Sequence, residues 1–130
     1  MYKYELQTKE EAFFNITCQV KDAIKRSGVK SGICLVYCPH TTAAITINEN
    51  ADEHVAEDVI CAAKTFFPKL EAFRHDEGNS DGHVKSSLFG VSETLIIEDG
   101  ELVLGYWQDI YFAEFDPPRN RKFYVKIIEG

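Results

Sequence analysis

The chain has 130 residues, 45% of them hydrophobic and 12% aromatic, which is typical of a globular protein. Its formal net charge of -7 argues against a general nucleic-acid binder, because neutralising phosphates requires a basic face. No apolar run approaches the roughly 20 residues of a membrane helix, and the N-terminal residues lack the layout of a signal peptide. We therefore expect one cytoplasmic domain over residues 1–130 that binds neither nucleic acid nor a membrane.

The first third of the sequence predicts four strands and one helix. Strands are expected at residues 2–6, 12–16, 32–38 and 43–48. The run 32–38 is apolar throughout, which is the pattern of a strand covered on both faces. Between the second and third strands, Thr17 is expected to cap a helix that Gly28 ends.

The rest of the chain predicts two more helices and four more strands. A helix is expected over about 52–66, followed by a connection over 69–82 whose length and lack of periodicity are typical of a functional or disordered loop. Asp81 is expected to cap a third helix that ends at Phe89. Strands follow at 94–97, 101–106, 109–115 and 122–128, with Asp99-Gly100 as a hairpin turn. This order predicts one α+β domain.

Three of the four histidines lie in turn-rich connections and are the first candidates for a site. His40 follows a proline at the end of a strand, and His75 and His83 flank a segment rich in glycine and small polar residues. Three neutral imidazoles and a water form a known catalytic zinc arrangement. The alternative is that these histidines only make hydrogen bonds within their loops. His54 lies on a solvated helix face among carboxylates and is left out of the site.

Charged and hydroxyl side chains near these histidines suggest how a substrate is held. Glu77, between His75 and His83, is the best candidate for a general base. Arg119 and Arg121 follow a rigid Asp-Pro-Pro turn, and both are candidates to grip a phosphate or carboxylate. Further candidates beside the histidines are Thr41, Thr42, Lys85, Ser86 and Ser87. Trp107 either walls a pocket or fills the core.

Several motifs, taken in order, resemble the YjbQ family. They are Pro39-His40-Thr41-Thr42-Ala43-Ala44-Ile45-Thr46-Ile47-Asn48-Glu49-Asn50-Ala51-Asp52, His75-x-Glu77-Gly78-Asn79-Ser80-Asp81-x-His83-x-Lys85-x-Ser87-Leu88, Gly105-x-Trp107-Gln108 and Glu114-Phe115-Asp116-x-Pro118-Arg119. The resemblance implies a single-domain α+β fold with two packed β-sheets and two or three helices. It also implies a homotrimer whose sites lie at or near subunit boundaries. The activity it implies is secondary thiamine-phosphate synthesis, which joins a pyrimidine diphosphate to a thiazole phosphate and releases pyrophosphate.

The family's functional positions carry over onto this sequence residue by residue. The implied metal ligands are His40, His75 and His83. The implied catalytic residues are Glu77, Asn79 and Asp81. A small anionic substrate is expected to contact Thr41, Thr42, Lys85, Ser87, Trp107 and Arg119. Asp109 and Pro117 stand where the family pattern has glycine, and they are expected to alter the charge and shape of an anion pocket.

The residues leave the metal and the reaction open. Histidine ligands favour zinc, whereas synthase chemistry usually assigns departing pyrophosphate to magnesium with oxygen ligands. That mismatch favours a metal-dependent hydrolase as an alternative to the synthase. A trimer that binds a metal or ligand without turnover is the alternative from a different functional class.

Overall fold

A computed structural model describes residues 1–130, with eight strands and three helices. They are β1 (Tyr2–Thr8), β2 (Ala12–Asn15), α1 (Thr17–Ser27), β3 (Gly32–Tyr37), β4 (Ala43–Glu49), α2 (Glu53–Phe66), α3 (Ser80–Phe89), β5 (Ser92–Glu98), β6 (Glu101–Leu102), β7 (Gln108–Glu114) and β8 (Arg119–Glu129). The predicted α+β fold with two sheets is confirmed. None of the helices combines the length and the apolar character needed to span a membrane.

The strands form two antiparallel sheets with a main core between them. The larger sheet has the order β1-β8-β3-β5-β6, and the smaller has the order β2-β7-β4. Side chains from both sheets and from α1 fill the core, including Val20, Val36, Phe112 and Phe123. A second, smaller cluster, around Ile60 of α2 and Phe115, lies on the other face of the smaller sheet. The helices α2 and α3 pack beside this smaller sheet.

The larger sheet buries only one of its faces within the chain. Along β3, Cys34 and Val36 are buried, whereas Ile33 and Tyr37 are exposed. The prediction that this strand is covered on both faces is therefore wrong for the single chain. Ile96 lies opposite Ile33 on β5, and the outward row continues across the sheet. We call this row the open face; its exposed apolar members are Ile33, Tyr37, Ile96 and Ile128.

Two helix starts differ from the sequence prediction. Thr17 does not cap α1, because its hydroxyl accepts the backbone N–H of Ile110 at 2.9 Å. The side-chain oxygen of Asn15 instead accepts the N–H of Thr17. Asp81 is not a cap either, since α3 already begins at Ser80. The carboxylate of Asp81 lies beside Lys85, one helical turn further on.

The turns follow the sequence more closely than the strand lengths do. Gly28 ends α1 with a φ of 71°, a left-handed conformation that favours glycine. Asp99 and Gly100, with φ values of 54° and 76°, form the predicted tight turn between β5 and β6. The strand after this turn is shorter than expected, because β6 ends at Leu102.

Candidate functional site

His75 and His83 come together at the start of α3. Their rings meet edge to face with 5.3 Å between centroids. His83 lies in the second turn of α3, and a turn in which Gly78 donates to the carbonyl of His75 brings His75 back towards it. The loop that separates these histidines in sequence therefore pairs them in space.

The larger sheet holds His40 in place through a backbone hydrogen bond from β8. The backbone N–H of Lys122 donates to Nε2 of His40 at 2.9 Å. The ring lies edge to face against Phe112, 6.4 Å between centroids. Partial burial lowers the pKa of His40, and the positive charge of Arg121 lowers it further. Both effects favour a neutral imidazole.

An open groove of about 620 Å³ joins the two histidine-bearing segments. His40 and Thr41 lie on one side, and His83 and Ser87 of α3 lie on the other. Tyr37 also lines the groove, and Tyr37 belongs to the open face. The groove thus brings together four of the predicted site residues and lies at the rim of an uncovered apolar surface.

The three histidines do not form a metal site within one chain. No three His, Cys, Asp or Glu side chains are placed to hold a common metal ion. The rings of His75 and His83 adjoin each other, whereas Nε2 of His40 is already occupied by the backbone of Lys122. A three-histidine metal centre stays a prediction, and these residues alone do not fit it.

A buried ion pair holds the loop that carries His40. Arg121 donates from Nε to Oε1 of Glu114 at 2.7 Å and from Nη2 to the hydroxyl of Thr42 at 2.9 Å. Burial acts to raise the pKa of Glu114. The hydrogen bonds from Arg121, Thr8 and the backbone of Asp116 outweigh burial and hold that pKa below its ordinary value. Thr42 is buried, and its hydroxyl already accepts a hydrogen bond from Arg121. Within one chain, Thr42 therefore positions the loop that carries His40.

A second polar cluster lies at the N-terminus of α3. Nδ2 of Asn79 and Nη2 of Arg119 both donate to Oδ2 of Asp116, at 2.8 and 2.7 Å. Burial acts to raise the pKa of Asp116, but Asn79 and Arg119 outweigh it and lower the pKa. Oδ1 of Asn79 is buried without a hydrogen-bond partner. Arg119 remains partly exposed. Its pKa is raised mainly by Asp116, and the charge of Glu77 raises the pKa of Arg119 further.

Lys85 is placed differently from the anion ligand that the sequence suggested. Its side chain is 1% exposed, and Nζ lies 3.1 Å from Glu11 and 3.5 Å from Asp81. The ammonium also lies over the ring of Phe115. The carboxylates of Glu11 and Asp81 therefore already neutralise Lys85, and the contact with Glu11 ties α3 to the segment before β2. The predicted contacts of Lys85 and Asp81 with substrate stay predictions.

Trp107 is exposed, so the alternative that it fills the core is wrong. The β4–β7 ladder runs from the pair Ala43 and Glu114 to the pair Glu49 and Gln108. That span is about 20 Å at roughly 3.4 Å per residue. Trp107 lies beyond the far end, so a single chain does not bring it to the groove.

Sequence reasoning missed two residues that shape the site. Thr8, at the end of β1, donates its hydroxyl to Oε1 of Glu114. The signal available in the sequence was a polar residue at the end of a strand with alternating burial. Lys122 acts on His40 through its backbone. Every residue except proline has such an N–H group, so no pattern of side chains predicts this contact.

Comparison with known proteins identifies the family. The family described as "UPF0047 protein YjbQ-like" matches residues 2–130. The chain belongs to the UPF0047/YjbQ family. A UPF0047 protein of Methanocaldococcus jannaschii is 55% identical over 129 residues, covering 98% of this chain and 94% of the relative. The UPF0047 protein YugU of Bacillus subtilis is 48% identical, covering 93% of this chain and 92% of the relative.

Solved structures of UPF0047/YjbQ proteins share the fold. A family member from Clostridium acetobutylicum is 52% identical with a TM-score of 0.96, and the match covers 98% of this chain and all, 100%, of that chain. A protein of unknown function from Sulfolobus solfataricus is 31% identical with a TM-score of 0.94, covering 99% and 96% of the two chains. The resemblance read from the motifs is confirmed, together with the single-domain α+β fold.

The two departures from the UPF0047/YjbQ motifs lie in different places. Asp109 accepts a hydrogen bond from Asn15 at 2.6 Å near the Trp107 end of β7. It therefore leaves the groove of its own chain unchanged. Pro117 lies between Asp116 and Arg119, where it belongs to the turn that carries the Arg119 cluster.

Proposed function

We propose that this protein binds a small phosphorylated or anionic molecule in the groove between His40 and His83 and acts on it as an enzyme. The observation that carries the proposal is the convergence of His40, Thr41, His83 and Ser87 on one groove from segments distant in sequence. Imidazole and hydroxyl groups supply the donors that anionic oxygens require. Arg119 shares the carboxylate of Asp116 with Asn79, and Asn79 precedes His83 by four residues, about 6 Å along the helix axis at 1.5 Å per residue.

Glu77 is the proton-transfer group of the proposal. It is exposed in the loop that joins His75 to α3, and its negative charge contributes to the raised pKa of Arg119. An exposed carboxylate two residues after His75, whose charge reaches Arg119, is a suitable group to take a proton from a water or substrate hydroxyl. The family resemblance supplies the first reaction to examine, thiamine-phosphate synthesis, and hydrolysis of a phosphate ester is the second.

The test compares wild-type protein with Glu77→Gln, which removes the charge and keeps the size. Pyrophosphate release from a pyrimidine diphosphate with a thiazole phosphate reports the synthase, and phosphate release from a phosphomonoester reports the hydrolase. We expect one reaction to be present in the wild type and to fall at least about a hundredfold in the variant, as lost general base catalysis implies. Glu57→Gln, on the solvated face of α2, is the matched control. Phosphate binding without turnover in either assay would instead favour a binding protein.

The groove belongs, on this proposal, to a homotrimer built on the open face. Exposed apolar side chains occupy its centre, and its two edges carry opposite charges. The β1 and β8 side is positive on balance, because Lys3, Lys122 and Lys126 outnumber Glu5, which lies opposite Lys122. The β5–β6 turn carries Glu98 and Glu101. Opposite edges of one surface suit a head-to-tail contact between copies, which closes into a ring. Tyr37 links this face to the groove, so a second copy seated here reaches the site.

Metal binding is the second part of the family resemblance, and the paired rings of His75 and His83 favour it. Two imidazoles make up half of a tetrahedral zinc site. Since one chain offers no third ligand beside them, the remaining ligands would come from a neighbouring copy or from substrate. When bound, the metal would supply a Lewis acid at the start of α3. Magnesium is the alternative metal if pyrophosphate itself provides oxygen ligands.

A further inference from the structure

The hydrogen bond between Lys122 and His40 determines which ring nitrogen carries the proton. A backbone N–H is only a donor, so Nε2 of His40, at 2.9 Å from it, must offer its lone pair. Nε2 is therefore unprotonated. A neutral imidazole has one N–H, which leaves the proton of His40 on Nδ1.

The surroundings of His40 oppose a second proton. Arg121 lies beneath the loop, and the ring is partly buried against Phe112. Glu114, which carries the compensating charge, is bound to Arg121 through both its carboxylate oxygens.

A neutral imidazole with this tautomer has no free lone pair for a metal. Ligation through Nε2 would break the contact with Lys122, and ligation through Nδ1 would require loss of its proton. Nδ1–H is instead a donor without charge, which can bind an anionic or carbonyl oxygen without first losing or gaining a proton. The groove that His40 lines holds further hydroxyl donors on Thr41 and Ser87.

We propose that His40 is a neutral hydrogen-bond donor to the ligand, presenting Nδ1–H to a phosphate or carboxylate oxygen in the groove, and is not a metal ligand. This assignment rests on the proposed function, because it takes the groove to bind an anion. It divides the histidines by role: His40 contacts the anion, while His75 and His83 remain the metal-binding pair.

Two isosteric substitutions separate the two ends of the ring. Asparagine places an amide nitrogen close to the position of Nδ1, and glutamine places an amide oxygen close to that of Nε2. With inorganic phosphate as the probe, we expect His40→Asn to bind within about threefold of the wild type and His40→Gln to bind at least about tenfold more weakly, since only the second loses the donor. Equal weakening in both variants would contradict the proposal. Thermal melting of both variants verifies that they remain folded.

Zinc binding and the tautomer are measured on the same proteins. We expect zinc affinity to be unchanged in both variants and nitrogen NMR of the ligand-free wild type to show a protonated Nδ1 and an unprotonated Nε2 on His40. Loss of zinc in both variants, or a protonated Nε2, would overturn the assignment. If the wild type binds no phosphate, the proposed anion site is wrong. The proposal that an anionic oxygen accepts from Nδ1–H of His40 is then wrong as well. The zinc and tautomer results still decide separately whether His40 is a ligand.

Discussion

Arg121 and Thr42 are 79 residues apart in sequence, yet Nη2 of Arg121 donates to the hydroxyl of Thr42 at 2.9 Å. The same guanidinium binds the fully buried carboxylate of Glu114. Because the next residue, Lys122, holds His40 through its backbone, two successive residues of β8 fix both ends of the His40–Thr42 loop. The groove therefore depends on a buried ion pair that does not itself line it.

Glu114→Gln tests how much that ion pair stabilises the fold. Breaking a buried pair leaves one charge without compensation, so we expect the free energy of unfolding to fall by about 3 kcal/mol or more. Asp22→Asn weakens the exposed pair of Asp22 with Arg26, where the N–O distance is 3.7 Å, and serves as the matched control. The control is expected to cost less than about 1 kcal/mol. Urea unfolding measures both, and equal losses would contradict a special role for Glu114.

The same carboxylate makes stability depend on pH in a defined direction. The pKa of Glu114 is lower in the folded protein than in the unfolded chain, so folding favours its charged form. Its contribution is present above the unfolded pKa and is lost as the pH falls through the folded pKa. Urea unfolding from neutral pH into the acid range is expected to show a loss that is smaller in Glu114→Gln. If the free energy of unfolding falls with pH equally in the two proteins, Glu114 is not the source of the loss.

Ile96→Glu tests the open face. Ile96 is 57% exposed in the single chain, so the substitution leaves the core intact. Light scattering after gel filtration is expected to find a trimer for the wild type and a monomer for the variant, because a buried interface disfavours an unpaired charge. Phe66→Glu is the control, since Phe66 is 75% exposed at the end of α2 on the opposite side of the fold. A variant that stays trimeric would place the interface elsewhere.

His83→Ala tests the metal-binding pair. With one of the two adjoining imidazoles removed, we expect the zinc content of purified protein to fall at least about tenfold, as loss of a protein ligand to zinc implies. His54→Ala removes an exposed histidine of α2 and should leave the zinc content unchanged. Elemental analysis after dialysis against trace zinc makes the comparison. Equal zinc in the two variants would remove His83 from the ligand set.

The sequence predicted the elements and the residues that converge on the groove better than it predicted burial. Periodicity and turn residues located most strands, because alternation and left-handed glycines are local properties. The open face of β3 and the exposure of Trp107 were not predictable in this way. An apolar residue looks the same in sequence whether its own chain or a second copy covers it. The neutralisation of Lys85 by Glu11 was equally hidden, since it joins residues 74 apart.

The most direct test of the groove is a histidine-selective NMR titration of the wild-type protein with inorganic phosphate. His40 and His83 line the groove, whereas His54 lies on α2 outside it, so these three histidines act as separate reporters. We expect saturable shifts at His40 and His83 and none at His54. Shifts confined to His54, or no saturable shift at any histidine, would contradict the proposal.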